Sequence, residues 1–372
     1  MTGVSDIKGM TEAQLAEAYA ENVQVCEATE HVGKHNRIFG RRREIIDELK
    51  ARGEIRPALE RLLNHPDSQV RSSAQWELHW LNHPTPQAPP HRPLPTETQW
   101  QCDNPPPLGM TPAVVARRLQ NVVPEASDRL MDLALPAIGL WPQRPRADSP
   151  ATASRLGGAP LAPPDWQWPI VDDEPLLFVG QINCAELHGL PGAELLPSSG
   201  LLAFFGDHDG LMACRIEARD IAIYHWTDID SLVAATAPIT PSIVFPMCTL
   251  ATRPVIDLPD PHSCAVQNLS LNEEQVSRYA IEWKALRRHR IPDGLDYYCG
   301  FSKLLGWPAQ VQAEDPTAFC EHGRLLLQVD DYCNGEDHHS WGGAGGSIYF
   351  ILSEDDLQAQ NFAACAFDIQ FT

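Results

Sequence analysis

Residues 10–80 carry apolar side chains every three to four positions, the spacing of helices that bury one face. Leu15, Ala18, Tyr19, Val23 and Cys26 form the first such face, and Thr11 stands before it as a cap with Glu12 and Gln14 in the first turn. Ile38, Phe39, Ile45, Ile46 and Leu49 predict a second helix over 32–52, ended by Gly53. Pro57 opens a third with Leu59, Leu62 and Leu63 inward, and Val70, Ala74, Leu78 and Leu81 predict a fourth. The pattern stops at a run of prolines: 84, 86, 89, 90, 93, 95 and 105–107. Proline fixes φ and donates no hydrogen bond, so residues 84–110 read as an extended linker. Thr111-Pro112 then starts another helix with Val114, Val115 and Leu119 inward, and 125–135 holds a second short one.

Beyond residue 136 the period shortens. Apolar runs bounded by Gly and Pro predict strands at 137–141, 176–182, 200–205, 221–226, 242–247, 325–329 and 347–352, with 367–371 as an edge strand. Residues 272–290 are helical, acidic at the start and basic at the end, as the helix dipole favours. Ser353-Glu354-Asp355-Asp356-Leu357 reads as a capped short helix.

One stretch occurs twice. Ser154-Arg155-Leu156-Gly157-Gly158-Ala159-Pro160 leads to an apolar run ending at Gln181 and then to Gly200-Leu201-Leu202-Ala203-Phe204. Its second copy is Ser302-Lys303-Leu304-Leu305-Gly306-Trp307-Pro308, then a run ending at Gln328, then Gly346-Ser347-Ile348-Tyr349-Phe350. The offsets are 148 at Ser154/Ser302, 147 at Gln181/Gln328 and 146 at Gly200/Gly346. So small a drift predicts a duplicated unit with halves of about 111–260 and 261–372. These motifs, with Trp168-Pro169, the F-V-G-Q-I-N of Phe178 to Asn183, and Glu354-Asp355-Asp356-Leu357, resemble the YwqG-like family of bacterial proteins over residues 112–372. The resemblance implies an α+β domain with internal pseudo-symmetry and brings no catalytic residues. It also implies a setting, because members of such families occur beside bacterial toxin genes. The segment His65 to Ala74, H-P-x-x-x-V-R-x-x-A, resembles the second helix of a HEAT-type repeat. With its H-N-R-I-F and D-E-L-K-A-R pieces, the whole segment resembles a small bacterial helical family of unknown function. The expected architecture is therefore α+β: an all-helical HEAT-like domain over 1–83, a linker over 84–110, and a β-rich duplicated domain over 111–372.

Charge sharpens this picture. Of 28 basic and 49 acidic residues, 12 and 14 lie in residues 1–100, which leaves 16 and 35 for residues 101–372. So acidic a chain repels nucleic acid and anionic membranes and attracts basic proteins. The triplet Arg41-Arg42-Arg43 has Glu44, Asp47 and Glu48 within a turn, so pairing along the helix competes with nucleic-acid binding. Apolar runs fall short of the roughly 18 residues of a membrane span, and no leader pattern is visible. Ten cysteines without a C-x-x-C pair are expected to be reduced thiols, consistent with a cytoplasmic setting.

Candidate chemistry is sparse. Nucleophile-elbow, Walker, H-E-x-x-H and G-x-G-x-x-G motifs are absent. Asp207-His208-Asp209-Gly210 holds three potential metal ligands, but neighbours in a strand point to opposite faces, and Asp-Gly is turn chemistry. The 330–346 loop carries Asp330, Asp331, Glu336, Asp337, His338, His339 and Trp341 among five glycines. It reads either as an acidic, aromatic surface for a partner or as a long hairpin connection. Gln181 and Gln328 read either as a polar pair at the pseudo-twofold axis or as amides that satisfy backbone groups of the neighbouring half. Trp166, Trp168 and Trp307 read as covers of the core, or as anchors for a partner if exposed.

The expected function is that of a non-enzymatic acidic binding protein without cofactor or metal, specifically an immunity protein. It would occlude a basic toxin through Asp330, Asp331, Glu336, Asp337, His338, His339 and Trp341, with Asp207, His208 and Asp209. The alternative is an enzyme or a small-ligand or metal-binding protein with a cleft between its halves, and an adaptor is a third possibility.

Overall fold

Thr11 and Gln14 cap each other at the first helix: the Gln14 N–H donates to Thr11 Oγ1 (3.3 Å), and the Thr11 N–H donates to Gln14 Oε1 (2.8 Å). This reciprocal pairing satisfies two N–H groups that a helix start leaves without partners. A computed structural model describes residues 7–27, 42, 44–82, 111–145, 147–171, 173–207, 220–238, 244–287, 302–312, 315–320, 322–333, 337–341 and 345–371. The chain divides after Thr85 into two compact units.

The first unit is helical: α1 (Glu12–Glu27), α2 (44–52), α3 (Ile55–Leu62) and α4 (Ser68–Asn82). Gly53 ends α2 with φ +71°, and the Glu54 N–H reaches back to the Leu49 carbonyl at 2.9 Å, which closes the last turn. The faces read from periodicity meet in one core of Leu15, Tyr19, Val23, Ile45, Ile46, Leu49, Leu59, Leu62, Val70, Ala74 and Leu78. Leu63, expected inward, is instead 38% exposed just past the end of α3. Ile38, Phe39 and the proline-rich 84–110 stretch lie outside the described residues.

The second unit opens with α5 (Pro112–Val122), where Thr111 Oγ1 accepts the Val114 N–H (3.4 Å), and α6 (Ser127–Asp132). Ten strands build its main sheet: β1 (Leu135–Gln143), β2 (Arg155–Leu156), β6 (Leu177–Asn183), β7 (Leu201–Gly206), β8 (Ile221–Trp226), β10 (Cys248–Asp257), β11 (Lys303–Leu305), β12 (Gly323–Asp330), β15 (Gly346–Ser353) and β16 (Ala366–Phe371). Three small ladders accompany it: β3 (Leu161–Ala162) with β9 (Val233–Ala234), β4 (Ile170–Val171) with β5 (Glu174–Pro175), and β13 (Tyr332–Cys333) with β14 (His338–His339). Helices α7 (Cys264–Gln267) and α8 (Glu273–Arg287) lie between β10 and β11, and α9 (Glu354–Ala359) follows β15.

The sheet order β16-β15-β12-β11-β1-β10-β2-β6-β7-β8 is a palindrome of the duplication. Ser154 Oγ accepts the Asn183 N–H (2.9 Å) as Ser302 Oγ accepts the Asp330 N–H (3.0 Å). The Ser154 carbonyl accepts from Leu250 (2.9 Å) as that of Ser302 accepts from Leu140 (2.8 Å). These matched bonds make β10 the counterpart of β1 and put the axis at the Trp141–Ala251 pair. They also revise the halves expected from sequence. β1 precedes the first copy yet pairs with β11 of the second, whereas β10 precedes the second copy and pairs with β2 of the first. The halves thus exchange their leading strands.

β10 lies outside the strands that the apolar pattern predicts, yet it holds a central place in the sheet. The strand expected at 242–247 falls partly outside the described residues, and 244–247 is irregular. The two halves of the sheet share one core. Phe204 and Phe350, equivalent in the two copies, meet with ring centroids 5.2 Å apart, and Leu156, Ile138, Leu304 and Val329 join the same cluster.

Candidate functional site

The loop that sequence marks as an acidic surface is folded inward at its base. Asp330 and Asp331 are 6% and 8% exposed. Asp330 Oδ1 accepts from Gln328 Nε2 (2.6 Å) and Ser347 Oγ (2.7 Å). Asp331 Oδ1 accepts from the Trp341 and Gly346 N–H groups (2.9 and 3.2 Å), and its Oδ2 accepts from Ser340 Oγ (2.9 Å). Asp331 therefore closes the loop by joining its two ends. Trp341 is buried, and His339 sits among Phe245, Tyr332 and Trp341 at centroid distances of 4.5, 5.4 and 4.4 Å. The expectation of an exposed surface thus fails for Asp330, Asp331 and Trp341, which are buried, and the two carboxylates serve the fold. Asp337 is exposed, the backbone of His338 pairs in β14, and Glu336 lies outside the described residues. Asp207 is half-buried with its N–H on the Asp220 carbonyl (2.7 Å), and His208 and Asp209 lie outside the described residues. Among the described residues, no three His, Cys, Asp or Glu side chains are grouped to hold a metal.

Replacing Asp331 with alanine is expected to strand two buried N–H groups, at about 1–3 kcal/mol each. Amides of 338–346 should then exchange with solvent at least tenfold faster, while those of β6 and β7 keep their protection. Unchanged exchange in the loop would remove Asp331 as its closure.

Sequence reading missed a polar layer on the outer face of the second half. Strand pairing sets Lys303, Gln328, Tyr349 and Asp368 side by side across β11, β12, β15 and β16, with Asp330, Ser347 and Gln370 in the next row. All seven are buried. A strap of main chain, residues 309–312, covers them. Gln328 Oε1 accepts the Ala309 N–H (2.9 Å), and Tyr349 donates to the Ala309 carbonyl (2.6 Å). Gln370 Oε1 accepts the Val311 and Gln312 N–H groups (2.9 and 3.0 Å). Lys303 Nζ donates to Asp257 Oδ2 (2.5 Å), which also accepts the Trp307 N–H (2.8 Å). Burial pushes the Lys303 ammonium down to about 8, against the pull of Asp257. Burial raises the carboxyls of Asp260 and Asp315 and the phenols of Tyr279 and Tyr349. The alternation of β11 and β12 held the signal, because Lys303 and Gln328 fall on the same face of their strands.

The equivalent row of the first half has diverged. Arg155, Gln181, Ala203 and Tyr224 stand side by side across β2, β6, β7 and β8, and Asn183, Leu201 and Trp226 form the next row. Arg155 donates to the Ala151 and Ala159 carbonyls, and Gln181 Nε2 donates to those of Ala151 (2.9 Å) and Ala153 (3.0 Å). Gln181 and Gln328 thus each satisfy backbone of their own half, not the other, and both stand off the axis. Toward the edge strand β8 this face turns aromatic. Trp166 lies 5.4–5.8 Å from Trp168, Phe205, Tyr224 and Trp226, and Tyr224 stacks on Trp226 at 6°. Burial lifts the Cys184 and Cys320 thiols to about 12 and about 11, and these side chains pack as core groups.

No helix among the described residues is long and apolar enough to cross a membrane. A comparison with curated proteins finds no match. Residues 14–80 match a family described as a domain of unknown function, DUF2019. Residues 154–370, more than half of the chain and both copies of the repeated motif, match the domain of unknown function DUF1963, and the chain belongs to that family.

Proposed function

We propose that this chain is a non-enzymatic acidic binding protein, and that its partner is a basic toxin whose working surface it occludes in the cytoplasm. In this reading the second unit is a YwqG-like binding domain and the first a HEAT-like accessory. One observation carries it, the excess of exposed carboxylates. In the second unit Asp165, Asp173, Glu174, Glu186, Glu194, Asp228, Asp230, Asp337 and Asp355 are exposed, against Arg117, Arg129, Arg144 and Lys284 among the described lysines and arginines. Exposed carboxylates of one sign speed the encounter with a basic protein and disfavour anionic partners. The contact surface proposed here is not the base of the 330–346 loop, since reversing Asp330 or Asp331 would bury a cation.

The test is affinity capture from the native organism at about 50 mM and about 500 mM salt, a range over which the screening length falls severalfold. A single basic protein, retained at low salt, weakened at high salt and toxic when expressed alone, is the expected result. Capture of no basic partner, or a partner whose binding ignores salt, overturns the reading.

One observation favours a small-molecule role instead. Both amide atoms of the Gln310 side chain are buried without a protein partner among the described residues, beside the Asp260 carboxyl that accepts the Gln310 N–H. A mass above that of the bare chain in native mass spectrometry would support that second role.

A further inference from the structure

The two halves treat equivalent faces of their edge strands differently. In the second half Asp368 and Gln370 of β16 are 8% and 1% exposed, because the 309–312 strap lies over that part of the sheet. Their counterparts on β8, Tyr224 and Trp226, are half-exposed, as are Trp166 and Trp168. The neighbouring Ile170 is 50% exposed. The Trp166 indole N–H is buried without an acceptor among the described residues, whereas that of Trp168 donates to the Leu176 carbonyl (2.8 Å).

The chain around this face has one sign of charge. Residues 161–175 and 220–238 contain seven acidic side chains and neither lysine nor arginine. Asp165 adjoins Trp166, Asp173 and Glu174 close the β4–β5 hairpin whose Val171 packs on the cluster, and Asp228 and Asp230 follow Trp226. All five of these carboxylates are exposed. Aromatic faces attract guanidinium groups through their quadrupole, and carboxylates take the same group in bidentate pairs.

We propose that the Trp166–Trp168–Tyr224–Trp226 face is the docking surface for an extended, arginine-bearing segment of a protein partner. That segment lies along the exposed edges of the rings, beside the chain's own 161–168 stretch, which occupies the place of the 309–312 strap and leaves these rings half-exposed. Its guanidinium groups stack on the rings, and its charge meets the five flanking carboxylates. This inference rests on the basic-partner reading above and adds the surface and the residue type.

The probe is an eight-residue arginine peptide titrated into the full chain at low salt, read by tryptophan fluorescence, with lysine and glutamate peptides of equal length for comparison. Saturable binding is expected, with arginine tighter than lysine and no response to glutamate. Tyr224→Leu should weaken the arginine peptide about tenfold, the scale of a lost cation–π contact. Asp228→Lys with Asp230→Lys, both at exposed positions that leave the core untouched, should weaken it at least as much and flatten the salt dependence. Equal affinity in the charge-reversed variant, a response that ignores salt as a neutral ligand would give, or no arginine binding each overturns the proposal. A native basic partner captured equally by wild type and by Asp228→Lys/Asp230→Lys would leave the basic-partner reading standing and sink this surface alone. Absence of any basic partner would sink the parent reading.

Discussion

Replacing Asp257 with alanine is expected to lower the stability of the sheet domain by about 3–5 kcal/mol at pH 7, the cost of leaving one member of a buried ion pair alone. Lys303 is fully buried, and Asp257 holds both its ammonium and the Trp307 N–H. The pair Asp257→Asn with Lys303→Met should recover much of the loss, because the fully buried ammonium goes with its carboxylate, while the half-buried Arg287, 3.9 Å from Asp257, loses that partner. Urea unfolding read by amide exchange in β11 and β12 checks both, and a single variant within about 1 kcal/mol of wild type would contradict the assignment.

The same site sets a pH dependence. Lys303 is lowered from 10.5 to about 8 in the fold, so between those values the unfolded chain holds a proton that the native state has released. Where the unfolded state binds more protons, stability rises with pH. This group alone should add roughly 3 kcal/mol between pH 8 and 10.5. Tyr279 and Tyr349 oppose it above about pH 10, because burial keeps their phenols protonated while those of the unfolded chain ionise. Lys303→Met should abolish the rise and leave the fall.

Gly157→Ala is the second change with a large expected effect. Gly157 has φ +61°, and a Cβ there would lie 2.4 Å from the carbonyl oxygens of both Phe245 and Pro246. Those are backbone atoms, held in part by the Gly158 N–H on Phe245 O (3.1 Å) and by Tyr332 Oη on Pro246 O (3.0 Å). A left-handed residue costs about 1–2 kcal/mol and an overpacked one about 1–3, so a loss of about 2–5 kcal/mol is expected. Gly53→Ala is the control. Its φ is +71°, but nothing lies within 4 Å of the added methyl, so only the strain of about 1 kcal/mol remains. If chemical denaturation finds the two variants equally stable, the Gly157 contact is not what the motif's glycine serves.

The contrast between these glycines shows what was legible. Both sit where a sequence motif asks for glycine, and the positive φ follows from local chemistry. The Phe245 carbonyl that makes Gly157 irreplaceable comes from a segment about 90 residues away, irregular at 244–247 where the apolar pattern predicts a strand. Lys303 is a similar case. Its place in the S-K-L motif is plain, but its burial depends on Asp257 of β10, a strand outside those that the apolar pattern predicts. Asp330 and Asp331 looked like surface charge because carboxylates usually are. The hydroxyls of Ser347 and Ser340, the Gln328 amide and the backbone N–H groups that converge on them make their burial tolerable.

What the sequence determined by itself is local or repetitive. The helix caps at Thr11, Thr111 and Ser353, the inward faces of α1, α2 and α4, the strands at 177–183, 201–206, 221–226 and 346–353, and the duplication all follow from spacing, capping chemistry and repeated motifs. Those signals need no knowledge of distant partners. The tertiary structure decided which strands pair, so that β1 and β10 exchange halves, and which of two equivalent edge faces becomes a buried polar layer and which a half-exposed aromatic one. Pairing and burial are settled by contacts between residues far apart in the chain, and the free energy of a charge depends on its surroundings far more than on its neighbours in sequence.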